Sequence, residues 1–87
     1  MALYKTYTSN TSDEFEHNGR TGVIAIAKNS GSGTVTLSHK IGTVDVPIDS
    51  FSDTGGAQFV SAKGTLKITT TGFSSGNFTV HVEPLAP

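Results

Sequence analysis

An acidic group near the N-terminus is the part of this chain whose residue types most resemble a chemical site. Asp13, Glu14, Glu16 and His17 place three carboxylates and an imidazole within five residues, and such ligands suit Ca²⁺ or a transition metal. The segment lacks the spaced oxygen ligands and central glycine of a calcium loop. Because charged side chains are exposed by default, we interpret the group as a solvated loop or a helix start and predict no bound metal.

A second polar segment contains Asp49 and Asp53, which flank Ser50 and Ser52. A calcium or glycan contact is one interpretation of such a turn. The other is Asx-turn chemistry, in which each carboxylate accepts a hydrogen bond from the nearby backbone. We favour the second.

The sequence contains no recognisable catalytic motif. Ser, His and Asp all occur, but no GxSxG nucleophile elbow is present, and His39 and His81 fall on the polar faces of predicted strands. Carboxylates for glycoside hydrolysis could be paired only arbitrarily. The Gly-rich run Asn29–Gly33 lacks the following helix that a phosphate-binding loop needs. We therefore expect neither an enzyme nor a cofactor.

Composition narrows the possible partners. The formal net charge is −1 with six Lys and Arg residues scattered along the chain, whereas a nucleic-acid binder normally shows a basic surplus or stripe. No apolar run approaches the roughly 20 residues that span a membrane. The N-terminal residues show no apolar core of a secretory signal. Nucleic acid and membrane are thus not expected partners.

Size and apolar content together predict a thin core. The 87 residues suit one domain, with 34% hydrophobic residues and no Cys, so disulfides cannot add stability. Domains of this size are only marginally able to bury a self-sufficient core. Oligomerisation or docking on a partner is the natural source of further buried area.

Alternating apolar residues predict β-strands throughout. The segment Gly33–Pro47 contains two such runs around a short turn, with Val35 and Leu37 on one face of the first and Val44 and Val46 on one face of the second. This predicts a hairpin whose second strand ends at Pro47, since proline cannot donate to a ladder.

Similar patterns surround this hairpin. Gly22–Lys28 is apolar on both faces, which predicts a central strand. Asn29–Gly33 and Gly72–Asn77 are predicted as reversing turns. Further strands are predicted at 58–62, at 65–71 with Leu66 and Ile68 inward, and from Phe78 through Val80 to Val82. The fold class predicted is all-β, a small antiparallel β-sandwich or barrel of six to seven short strands.

The N-terminal region is less regular. We divide the chain into residues 1–18, an N-terminal arm or first strand, and residues 19–87, the β-sandwich domain. Within the first part, 3–8 is either a strand paired with the chain's own sheet or an extended arm. The run TSNTSDEF at 8–15 is compatible with an N-cap and one short helical turn.

The strand sequences themselves resemble a known group of proteins. In 33–85 a GTVTL strand leads through VDVP and a turn to an F…G connection, and the segment closes with NFTVHV. This order is similar to that of small β-sandwich virion proteins of tailed phages, of the capsid decoration or head- or tail-fibre type. Many of these carry an aromatic residue where this chain has Val44.

The resemblance implies a structural virion protein of a bacteriophage, assembled in the host cytoplasm. We expect a capsid decoration, cement or fibre-associated protein that acts through protein–protein contacts with phage capsid or tail proteins. It also implies a homo-oligomer, with a trimer favoured. Leu3, Tyr4 and Tyr7 are the predicted partner-binding residues. The alternative is a host-surface or glycan-binding module of a tail or fibre, which requires exposed aromatic residues on loops.

Overall fold

The described part of the chain forms six antiparallel strands. The computed structural model describes residues 3–17, 19–61 and 63–84. In chain order the strands are β1 (Leu3–Tyr7), β2 (Thr11–His17), β3 (Arg20–Ile41), β4 (Val44–Phe51), β5 (Gly55–Ser61) and β6 (Gly64–Pro84). The described residues include no helix with the length and apolar character needed to cross a bilayer. The predicted all-β class is confirmed.

Two long strands organise the sheet. β3 and β6 pair antiparallel along almost their whole length, from Gly22 opposite Pro84 to Lys40 opposite Thr65. β5 pairs with the first part of β3 and β4 with its second part, while β2 pairs with the first part of β6 and β1 with its second part. The first half-sheet therefore has the order β1-β6-β3-β5, and the second half-sheet has the order β2-β6-β3-β4.

One hydrophobic core lies between the two half-sheets. Ile24 and Phe78 of the first half-sheet and Leu37 and Leu66 of the second are all 0% exposed and belong to a single cluster. Side chains on one sheet face become fully buried only when another layer covers them. Since the described residues form no helix, each half-sheet covers the other. The smallest dimension of 16 Å fits two such layers.

Most predicted strands are present where the alternation placed them. Ile41 and Val44 close the β3–β4 hairpin through a two-residue turn. The segment Gly22–Lys28 lies in the centre of its half-sheet, between β5 and β6. The residues predicted to face inward on β6 are buried: Leu66, Ile68, Phe78, Val80 and Val82.

The two predicted reversals at Asn29–Gly33 and Gly72–Asn77 are wrong. Both runs lie inside long strands and face each other, with Gly31 opposite Gly76. Register shifts occur there between Lys28 and Ser30 and between Ser32 and Thr34. Glycines and bulges bend a strand as readily as they reverse it. The mutual pairing of the two runs therefore makes a bend at which the β3–β6 ribbon folds over.

Two further expectations also need correction. Thr11–His17 is a strand and not a helical turn, because its alternate residues face the core along β6. Pro47 does not end its strand, since β4 continues to Phe51. β4 is an edge strand with a register shift opposite Leu37 and Ser38, and edges and bulges are where proline is tolerated. At the N-terminus, Leu3–Tyr7 pairs with β6 of the same chain, which is the first-strand alternative.

Candidate protein–protein interface

The outer face of the second half-sheet is charged. Lys40 on β3 reaches Glu14 on β2, with Nζ 2.9 Å from Oε2, and Lys67 on β6 reaches Asp45 on β4, with Nζ 2.9 Å from Oδ2. The Thr65 hydroxyl donates to Glu16 at 2.8 Å. Hydrogen bonding to Glu14 raises the pKa of Lys40 above its ordinary value. We call this surface the charged face.

The outer face of the first half-sheet has a different composition. We call it the Tyr4 face, and its described members are Tyr4 and Thr6 of β1, Thr79, His81 and Glu83 of β6, Thr21, Val23, Ala25 and Ala27 of β3, and Gly56, Gln58 and Val60 of β5. Among these residues Glu83 is the one carboxylate, and none is Lys or Arg. The face therefore has few charged groups to desolvate, and depletion of charge together with an exposed aromatic residue is a feature of the centres of protein interfaces.

Tyr4 is the aromatic residue of this face. It is 73% exposed, and its ring packs against the His81 ring in an edge-to-face arrangement, with 5.2 Å between centroids and 64° between planes. His81 Nε2 lies 3.4 Å from Glu83 Oε1. A tyrosine ring held against a neighbouring ring has less conformational freedom to lose on binding, which makes Tyr4 a suitable anchor for a partner.

The three predicted partner-binding residues are in different environments. Tyr4 is exposed, whereas Leu3 is partly buried and packs against the core. Tyr7 is 2% exposed and belongs to the core itself. Successive residues of an edge strand point to opposite sides of the sheet, so Leu3 and Tyr7 face the core side of β1 and Tyr4 faces outward. Of the three, the structure leaves Tyr4 open to a partner.

Tyr7 instead joins the two layers. Its hydroxyl donates to Asp13 Oδ2 at 2.9 Å, and Lys5 donates to the same oxygen at 2.8 Å. Burial, with Asp13 beside it, raises the pKa of Tyr7 above its ordinary value. The bonds from Lys5 and Tyr7 lower the pKa of Asp13. Since β1 and β2 belong to different half-sheets, this polar cluster holds the two layers together at one edge.

The predicted acidic group is divided by the strand. Asp13 and His17 face the core side of β2, while Glu14 and Glu16 are exposed on the charged face. His17 is 3% exposed, and its ring lies 5.4 Å from the ring of Phe59 on β5. No group of three potential metal ligands occurs within 3–17, 19–61 and 63–84.

The other candidate polar residues have local roles. Asp49 accepts a hydrogen bond from the Ser50 amide within β4, and Asp53 accepts one from the Thr54 amide in the bend after β4, each at 2.8 Å. Both carboxylates are therefore engaged by the adjacent backbone amide, and Asp49 lies in a strand and not in the predicted turn. His39 is on the same side of β3 as buried Leu37 and lies opposite Leu66. The expectation that His39 lies on a polar face is therefore wrong.

The exposure of four other apolar residues was not predicted from the sequence. Val60 on β5 is 74% exposed. Ile41, Val44 and Val46 are exposed at the end of the β3–β4 hairpin. Alternation alone assigns such residues to a face. Val60 is exposed because it lies on the outer Tyr4 face. Ile41, Val44 and Val46 lie on the same side of their strands as the core, and they are exposed because the opposite half-sheet does not cover the end of the hairpin.

Comparison with known proteins supports the fold alone. No family model and no curated protein matches the chain. A de novo designed double-stranded β-helix, solved in solution by NMR, is similar with a TM-score of 0.52 and 14% identity, over 95% of this chain and 96% of that chain. A chain from the disulfide-linked pili of Bacillus endospore appendages gives a TM-score of 0.44 and 15% identity, over 94% of this chain and 82% of that chain. The first similarity agrees with a curled antiparallel all-β fold.

Proposed function

We propose that the chain is a structural protein of a phage virion, which attaches to a capsid or tail protein through the Tyr4 face. The choice of a phage virion as the assembly rests on the resemblance of 33–85 to tailed-phage virion proteins. The observation that carries the proposal is the contrast between the two outer faces. One is covered by ion pairs, and the other combines exposed Tyr4 and Val60 with small side chains.

The physical basis is the cost of removing each face from water. Burying the charged face would remove the water that solvates Glu14, Lys40 and their neighbours, and a partner would have to replace that hydration with new hydrogen bonds. Burying the Tyr4 face would remove aromatic and aliphatic surface from water at little polar cost. The charged face is therefore expected to remain exposed in the assembly. A homo-oligomer is part of the proposal, since several copies would present several such faces to one shell.

The first test is the composition of purified particles. Mass spectrometry of density-purified virions from the phage that carries this gene is expected to find the chain at a fixed number of copies per particle. Its absence from particles of every assembly stage would overturn the proposal.

The second test addresses the face. Ala25→Glu places a carboxylate at the exposed centre of the Tyr4 face and is expected to abolish rebinding of purified protein to particles stripped of it. Thr36→Glu, on the outer side of the second half-sheet, is the matched control and is expected to rebind normally. Equal rebinding by both variants, with unchanged circular dichroism, would assign the docking surface elsewhere.

The alternative function remains a glycan-binding module. The observation that favours it is the exposed Tyr4 ring with Glu83 and Gln58 on the same face, because sugars stack on aromatic rings and hydrogen-bond to neighbouring carboxylates and amides. A glycan array that retains the wild type but not Tyr4→Ala would favour this alternative over attachment to a shell.

A further inference from the structure

The four edge strands differ in how they are protected. β1 carries Lys5, β2 carries three carboxylates, and β4 carries Pro47 with Asp45 and Asp49. Charges and proline on an edge strand hinder pairing with another chain. β5 has the sequence GGAQFVS, with no charged residue and no proline. It pairs with β3 on one side, and in the described residues its other side has no strand.

We propose that β5 pairs antiparallel with β5 of a second copy of this chain, about a two-fold axis at Gln58. The inference rests on the proposed self-assembly and names its contact. A two-fold axis at the middle residue of Gly55–Ser61 pairs every residue of the strand. Gln58 then lies opposite itself, and the remaining pairs are Val60 with Gly56, Phe59 with Ala57, and Ser61 with Gly55.

The side chains of β5 are complementary under this symmetry. Val60 and Gly56 both lie on the Tyr4 face, so the Val60 side chain of each copy would cover the backbone of Gly56 in the other. That contact buries a side chain that is 74% exposed in the single chain. On the inner side, Phe59 remains in its own core and meets the short side chain of Ala57.

The flanking charges match the same register. Lys63 lies two residues after β5 and Asp53 two residues before it. Continuing the antiparallel register brings Lys63 of each copy toward Asp53 of the other, twice per dimer. Both are exposed, and within the described residues neither forms an ion pair. Opposite charges at both ends of an uncharged strand select a second copy of the same strand as the occupant.

The pairing would extend the function proposed above. Two first half-sheets would join into one continuous eight-stranded sheet, counting four strands from each copy. The two Tyr4 faces would then lie on the same side of this sheet. Attachment to a shell would involve two linked faces, which increases the effective affinity without any new type of contact.

A single cysteine tests the register directly, because the natural chain has none. Directly opposed residues of an antiparallel pair have Cα atoms about 4.5–5.5 Å apart, within the range of a disulfide. Gln58→Cys is expected to form a disulfide-linked dimer under mild oxidation at least tenfold faster than Thr6→Cys, an exposed position on β1. Equal rates would overturn the proposal.

Light scattering and charge reversal provide the independent test. The wild type is expected to approach twice the 9.0 kDa chain mass as its concentration rises. Lys63→Asp or Asp53→Lys alone should weaken the dimer severalfold, and the two together should restore it to within about twofold, since the pair is re-formed with reversed sign. A monomer or a trimer at all concentrations would overturn this inference. Incorporation of the same monomer or trimer into particles would leave the proposed function standing.

Discussion

Replacing Gly76 by alanine probes the bend that folds the two half-sheets together. Gly76 has a φ of 79° and lies opposite Gly31 in the middle of the β3–β6 ribbon. A Cβ atom at this position would overlap the backbone carbonyl of Ser30. Gly72, on the same strand, has a φ of 68° but nothing within 4 Å of its added Cβ. Gly72→Ala is therefore a matched control for backbone conformation without the overlap.

The two substitutions should differ severalfold in cost. Alanine in the left-handed region costs about 1–2 kcal/mol, and lower entropy of the unfolded chain offsets about 0.4–1 kcal/mol of this. Gly72→Ala is thus expected to lower the free energy of unfolding by about 1 kcal/mol. Gly76→Ala adds displacement of a paired backbone segment, and we expect a loss of about 4 kcal/mol or more. That is a large part of the total stability of about 5–15 kcal/mol typical of a domain.

Urea titration followed by far-ultraviolet circular dichroism measures both losses. Gly76→Ala should show a much lower midpoint than Gly72→Ala, or be unfolded without urea. Equal midpoints would refute the reasoning, since the bend would then not depend on close approach of the Gly76 and Ser30 backbones.

The remaining predictions concern the polar groups. Because the pKa of Asp13 is lowered by folding, the ionised Asp13 carboxylate stabilises the fold above its ordinary pKa, and this stabilisation is lost as the pH falls through the lowered value. The free energies of unfolding of the wild type and Asp13→Asn should therefore converge at acid pH. A constant difference down to pH 2 would contradict this prediction. Because the pKa of Tyr7 is raised by folding, the wild type should lose stability relative to Tyr7→Phe as the pH rises above about 10. At pH 7, Tyr7→Phe should be about 1 kcal/mol less stable than the wild type, because it lacks the hydrogen bond to Asp13. Equal stability of the two proteins at pH 7 would argue against that bond. Glu14→Gln should change the free energy of unfolding by less than about 0.5 kcal/mol, and only at low salt, because the ion pair with Lys40 is exposed. Urea titrations at low and high salt measure this change. A salt-independent loss above about 1 kcal/mol would argue against a solvent-screened pair.

Local sequence determined the strands and their buried faces. Leu66 and Ile68, and later Phe78 and Val80, alternate with polar residues, and all four are buried. The β3–β4 hairpin has its turn where two alternating runs meet. These features depend on residues two positions apart in the chain, so the alternation of apolar and polar residues is enough to predict the strands and the faces that they bury.

Only the tertiary structure decided what the glycine-rich runs do. Asn29–Gly33 has the composition of a turn, and so does Gly72–Asn77, but the two runs pair with each other. Whether such a run reverses or bends depends on a distant partner, which local composition does not specify. The same long-range pairing leaves Tyr4 exposed and Tyr7 buried, and it buries His17 against Phe59. The alternation of residues showed which side chains share a face, and the folding of the ribbon determined which faces are covered.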